Sequence, residues 1–345
     1  MRKIIICILV ASLFAISVSA TDFALPGPPQ EAEKYMPEDT ESFSDGLKHI
    51  LKEAIRSLHP DFAEASRICL AAIACVLLMS LIKTFSWATA AVDLTGVLII
   101  SLLLVDATDS MIHLGSDTIQ QISEYGKLML PVLTGALASE GGAVTAAALY
   151  TGTVFFNTFL LTAIEKFVVP LLYVYMALCI AHRAIGEDLL KNLCDFLKWI
   201  STWAIKIVIY VFTGYLGITG VISGTTDAAA LKAAKLTISG AVPVVGSIIS
   251  DASETVLVSA GAVKNSIGIY GLLAICAIGI APFLRIGIQY LLLKLTYAVC
   301  GIFGAKGSVS LLGDFSGIMG LMVAATSTVC LLLFVSIVCY LKGVG

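Results

Sequence analysis

Runs without one charged side chain recur along this chain: Ile68–Ile82, Leu94–Val105, Ala143–Ile164, Phe167–Ala181, Ile207–Thr226, Asn265–Leu284 and Phe315–Leu341. Several reach the roughly 20 apolar residues a helix needs to cross a bilayer. The shorter ones reach it when a flanking Lys or Arg extends its charged end to the interface. Only 13% of residues are charged and 58% are hydrophobic, against roughly a quarter charged in soluble domains. The expected fold is therefore all-α, a polytopic helical membrane protein with about seven to nine membrane segments. A net charge of −3 offers no basic footprint, which argues against nucleic acid and leaves the lipid bilayer as the implied partner.

The amino terminus has a separate logic. Arg2 and Lys3 precede the apolar run Ile4–Ile16, and Val18-Ser19-Ala20 forms a small-residue cleavage site. Residues 1–20 are thus expected to be a secretory signal peptide, with an uncleaved anchor helix as the alternative. Residues 21–67 then form an exported acidic arm, with ten acidic and five basic residues. Pro26, Pro28, Pro29 and Pro37 mark its first half as irregular. In the second half Leu47, Ile50, Leu51, Ala54, Ile55 and Leu58 fall at helical spacing opposite Lys48, Lys52, Glu53 and Arg56. This amphipathic helix is suited to a membrane surface, a partner, or the protein's own membrane domain, residues 68–345. The arm has no cysteine, and the eight cysteines beyond Cys7 lie mostly in apolar runs, where they read as small buried hydrophobes.

Two apolar stretches are interrupted in the same way. Around Pro131 the chain reads LPVLTGALASEGG, and around Pro243 it reads VPVVGSIISDASE, 112 residues later. At the same offset VVPLLYVYMALCIA at Pro170 faces IAPFLRIGIQYLLL at Pro282, so the prolines are 39 apart in both halves. This register indicates an internal repeat, about 94–181 and 206–293, although apolar sequence also aligns by chance. Proline removes a backbone donor, and Gly135 and Gly246 loosen the backbone after it. Two broken segments, crossing or re-entrant, are expected at Pro131 and Pro243. Such paired breaks point to a transport site or pore, while small residues such as Gly240 and Ser250 equally suit close helix packing. Asp251 and Glu254 share a helix face, and capping by Ser250 or Asp251 is favoured over ion coordination.

Basic residues do not settle the topology. They divide six against six in either arrangement, and the amphipathic loop 182–198 tips the reading toward a cytoplasmic carboxyl end. Charges inside apolar runs remain as candidates for function: Asp93, Lys206 and Lys294. An Asp93–Lys206 pairing is conceivable from the repeat register, and both lysines equally suit snorkelling.

No constellation for catalysis or metal binding emerges. The histidines at 49, 59, 113 and 182 are scattered, and neither HExxH nor a phosphate-binding GxxxxGK[ST] occurs. Asp314, in LLGDFSG, reads as a loop or cap residue. No cofactor is implied, and energy for transport must come from a gradient or another protein.

The stretch SGAVPVVGSIISDASETVL, residues 239–257, closely resembles the most characteristic segment of the stage III sporulation protein AE family. The resemblance extends over essentially the whole chain and implies a non-enzymatic, permease-like channel component of a sporulation complex linking mother cell and forespore. It implies a multi-pass protein in the mother-cell membrane around the forespore. The implied partners are other stage III proteins of the same operon, namely ring-forming components and an associated ATPase. Onto Gly240, Pro243, Gly246, Asp251 and Glu254 it carries membership of a motif, with no established role. A stand-alone secondary transporter and a membrane scaffold without a pathway are the alternatives.

Overall fold

The computed structural model describes residues 26–37, 42–85, 89–137, 143–185, 188–218, 266–303 and 306–342. Every element among them is helical. In order they are α1 (Gln30–Glu33), α2 (Phe43–Ser57), α3 (His59–Phe85), α4 (Thr89–Leu137), α5 (Ala143–Ala163), a π turn (Ile164–Val168), α6 (Val169–Ile185), α7 (Asp188–Ile218), α8 (Ser266–Cys300), a 3₁₀ turn (Gly301–Phe303) and α9 (Lys306–Lys342). Among the described residues six helical rods are long and apolar enough to cross a membrane. The expected seven to nine segments include residues 219–265, which lie outside the described residues, as does the expected signal peptide.

The carboxyl-terminal helix forms the core. In α9 the hydroxyls of Thr326, Thr328 and Ser336 donate to the carbonyls of Met322, Ala324 and Leu332 at 2.7–3.0 Å. Polar side chains four residues from an available carbonyl can thus be buried without an outside partner. Leu311, Phe315, Met322, Ala325 and Ile337 are fully buried. Gly313 and Gly320 let α8 approach closely: a Cβ at either would lie 3.1 Å from the ring of Tyr297 or Tyr290. Without a hydrophobic driving force between helices in lipid, such contact is what holds rods together.

Side-chain contacts fix the direction of each rod. Ser80 donates to the Phe303 carbonyl at 2.7 Å, and Asp61 lies 2.9 Å from Arg285, so α3 runs parallel to α8. Ile122 and Met129 of α4 face Gly279 and Gly271 of α8, which makes that pair antiparallel. Asn157 of α5 donates to the Ser123 carbonyl at 3.2 Å and Tyr173 of α6 to Asp109 at 2.8 Å, returning the chain along α4. Phe212 of α7 meets Phe156 edge-on at 6.1 Å. The rods therefore alternate. The start of α2, the end of α7, the start of α8 and the end of α9 share one end of the bundle, here the arm end. The α3–α4, α6–α7 and α8–α9 connections share the far end. Lys342 thus lies at the same end as the arm helix, which corrects the expectation of a cytoplasmic carboxyl end opposite an exported arm.

Helix α2 takes the third of its foreseen roles. Phe43, Gly46, Ile50 and Ala54 are buried along one face, against α8 and α9. A Cβ at Gly46 would meet Leu273 at 2.7 Å, and Phe43 faces Phe334 at 6.0 Å. Lys48, Lys52 and Arg56 remain on the outer face.

The expected break at Pro131 does not occur. α4 is continuous through Pro131 and Gly135 to Leu137. Proline removes the N–H that would bond the Lys127 carbonyl, but its ring is exposed while Met129, Leu130 and Leu133 are buried. Packing on one side outweighs one lost bond on the other. Pro282 likewise lies inside continuous α8. Pro170 differs, because it follows a π turn in which the Val169 N–H bonds the Ile164 carbonyl five residues back. Widening the helix there accommodates the donor that Pro170 lacks. The runs 143–164 and 167–181 consequently form one rod. Of the repeat, α4 followed by α5–α6 and α7 followed by α8 do run in the same directions. Pro243, however, lies outside the described residues, and Pro170 and Pro282 occupy unlike backbone.

Candidate functional site: paired charges among apolar rods

The motif residues Gly240, Pro243, Gly246, Ser250, Asp251 and Glu254 lie outside the described residues. Their attachments do not: α7 ends and α8 begins at the arm end, where Gly268 faces Leu341.

Each charge within the apolar rods has an identifiable setting. Asp93 accepts from Lys83 at 2.6 Å between the end of α3 and the start of α4. Asp93 thus meets a local partner in place of the conceivable Lys206, since Lys83 lies only ten residues away near the end of α3 that faces the start of α4. Lys206 instead rests 6.0 Å from the Trp203 ring centre, and Lys294 6.0 Å from that of Tyr297. Both are one turn from an aromatic ring, an arrangement that suits a snorkelling cation.

The strongest pair was not foreseen. Arg183 near the end of α6 holds Asp314 of α9 through Nε at 2.9 Å and Nη2 at 2.8 Å, both to Oδ2. Their side chains are only 26% and 18% exposed. Asp314 therefore sits within a helix and ties two rods together, contrary to the loop or cap expected. A second cross-bundle contact joins Asp61 to Arg285 at 2.9 Å. Asp109 accepts from Tyr173 at 2.8 Å, with His113 Nε2 at 3.7 Å on the same oxygen. The sequence signal for Arg183–Asp314 was present, an aspartate and an arginine each beside an apolar run. Nothing in sequence order linked residues 131 apart.

These contacts are structural in character. Among the described residues no group of three His, Cys, Asp or Glu side chains is placed to hold a metal ion. Cys69, Cys179, Cys194, Cys276 and Cys300 are buried thiols outside any disulfide, as small apolar residues. A cavity of about 30 Å³ between the π turn, α7 and α9 is lined by residues such as Ile164, Val168, Ile205 and Ala325. It has the size of a packing defect.

Long apolar rods around a buried central helix, with charges tied across rods or resting on aromatic rings, define a polytopic helical membrane protein. The chain belongs to the Stage III sporulation protein AE family, whose model matches residues 32–343. Among curated proteins it is similar to Stage III sporulation protein AE of Bacillus subtilis (strain 168), 25% identical over 272 residues, 78% of this chain and 68% of that protein. No solved structure matches it.

Proposed function

We propose that this protein is a non-enzymatic, permease-like membrane component of a sporulation complex linking mother cell and forespore. In this reading it occupies the mother-cell membrane around the forespore and acts with other stage III proteins, including ring-forming components and an ATPase. Residues 1–20 direct export of the arm, and Gly240–Glu254 lines a passage or meets the complex. The observation that carries the reading is the filled axis of the bundle. α9 is surrounded by α4, α6, α7 and α8 and is largely buried among them. A passage confined to these rods would have to separate helices in direct contact. A route assembled with other proteins requires no such opening.

Gly246→Leu tests the motif. It adds bulk where close backbone approach is expected, and should abolish sporulation while the protein still inserts. Cysteines placed singly from 239 to 253 should then react periodically with a small charged thiol reagent if the segment lines water. If it forms an interface, protection should vanish when partner proteins are deleted. Normal sporulation of Gly246→Leu together with uniform protection irrespective of partners would remove the motif from the account.

Asp93→Asn separates this reading from a stand-alone transporter. The Lys83–Asp93 pair is about one third exposed on each side, so its loss should cost at most about 1 kcal/mol. Sporulation efficiency should be unchanged. A transporter using Asp93 at its substrate site would lose activity with normal protein levels.

A further inference from the structure

The rods are too long for the membrane they are made for. α8, with 35 residues, measures about 52 Å at 1.5 Å per residue, against about 30 Å of hydrocarbon. Tilted by about 40°, the upper end of the usual range, it would still extend about 40 Å along the bilayer normal. Part of the bundle must stand outside the hydrocarbon.

The position of Arg285 divides the molecule. Asp61 of α3 touches Arg285 directly. On α9 the matching level falls between Gly320, which faces Tyr290, and Cys330, which faces Gly279. Gly115 of α4 faces Met322 and Thr326, placing His113 and Asp117 there as well. The small cavity brings Ile164, Ile205 and Ala325 to the same level, and their sequence neighbours are Glu165, Lys166 and Lys206. Every rod around α9 thus carries charge at one height. From Arg285 to Phe303 the helix rises about 27 Å, close to one hydrocarbon thickness, and at its end lie Lys83, Asp93 and Lys306. Between these two levels large apolar side chains face outward: Leu70 (65%), Leu102 (81%), Leu291 (62%) and Ile302 (80%) are examples. Of the charges between them, Lys294 lies midway and Lys198 about 15 Å from the start of α7, so each leans its stem toward an interface without reaching the end of its rod. Lys191 and Asp195 lie within about two turns of the start of α7, and Glu64, Arg67 and Asp109 within about two turns of the Arg285 level. Arg183 and Asp314 pair with each other. Asp106 lies two turns from His113 on one exposed stripe of α4.

Beyond Arg285, toward the arm end, the pattern changes. The α8 residues Leu272, Ala274, Ile275 and Ala277 are buried by protein, under α2 and α4. The exposed faces of those two helices carry Lys48, Lys52, Arg56, Asp117, Gln120 and Glu124, which outnumber the large exposed apolar side chains beside them, Leu51, Ile55 and Leu128. Phe155 and Phe159 of α5 are exposed there too, with Thr151 and Thr158 on the same face.

We propose that lipid covers only the half of the bundle between the Arg285 level and the α8–α9 turn, and that the arm-end half is a helical head standing in water. The apolar residues of α8 and α9 in that half form a protein core.

Nitroxide labels on the full-length protein in lipid nanodiscs test this directly. Cysteines would replace Leu78, Leu98 and Leu291 in the belt, and Lys52, Gln120 and Phe155 in the head, with the signal of the unsubstituted protein subtracted. Collision with oxygen, which partitions into lipid, is compared with collision with a water-soluble nickel chelate. The log ratio is expected to be positive at the three belt sites and negative at the three head sites. Positive values at Gln120 and Phe155 would place the head in lipid and overturn the proposal. Negative values at all six sites would overturn it equally, since no belt would then exist.

Discussion

Asp314→Ala is expected to destabilise the bundle by about 3 kcal/mol, the lower end for breaking a buried ion pair. The loss arises because Arg183 would remain between α6 and α9 with no counter-charge, at 26% exposure. Arg183→Ala should cost a similar amount for the mirror reason. Removing both charges together, as Arg183→Met with Asp314→Leu, should recover most of the loss, because apolar replacements of similar volume avoid desolvating either ion. Thermal unfolding in nanodiscs measures all three variants. If the double variant is as unstable as the singles, Arg183 and Asp314 contribute through separate contacts.

Gly126→Leu should be comparably disruptive for a steric reason. A Cβ at Gly126 would lie 2.9 Å from Leu333 Cδ1 and 3.2 Å from Asn157 Nδ2. A whole leucine must push α9 aside and evict Asn157 from its bond to the Ser123 carbonyl. Overpacking costs about 1–3 kcal/mol, and the displaced buried amide adds about 1 kcal/mol or more. Gly126→Ala should be far milder, since better helix propensity offsets part of the crowding. The yield of folded, monodisperse protein from membranes separates the two. Equal yields would mean that α4, α5 and α9 are less tightly joined than their contacts indicate.

The class of the fold was legible because charge-free length is a local property. Ile68–Ile82 and Phe315–Leu341 need no tertiary knowledge to be assigned to apolar surroundings. The amphipathic face of α2 was legible for the same reason, while its docking on Leu273 was not. Small residues such as Gly46 mark close approach without naming the partner. Proline misled where burial decided the outcome. Pro131 reads as a break in isolation, yet Met129, Leu130 and Leu133 anchor the helix across it. Asp93 stands out in the sequence as a charge beside an apolar run, and the repeat register makes distant Lys206 a conceivable partner, whereas the residue it meets is Lys83, ten positions away. Asp61–Arg285 and Arg183–Asp314 join residues from opposite parts of the chain, and only the alternation of the rods brings them together. The motif at 239–257 disclosed kinship with a family, since kinship is written in residue order, whereas the physical work of Gly246 or Asp251 depends on neighbours that order does not name.

The central claim is that any passage is assembled with partner proteins and does not run through this chain alone. Flux of a small fluorescent anion from vesicles containing the purified full-length protein tests it most directly, with and without the other stage III proteins proposed as its partners. Vesicles with this protein alone are expected to leak no faster than empty ones, and release should begin only when the partners are reconstituted beside it. Saturable flux through the protein alone, at one chain per functional unit, would contradict the account.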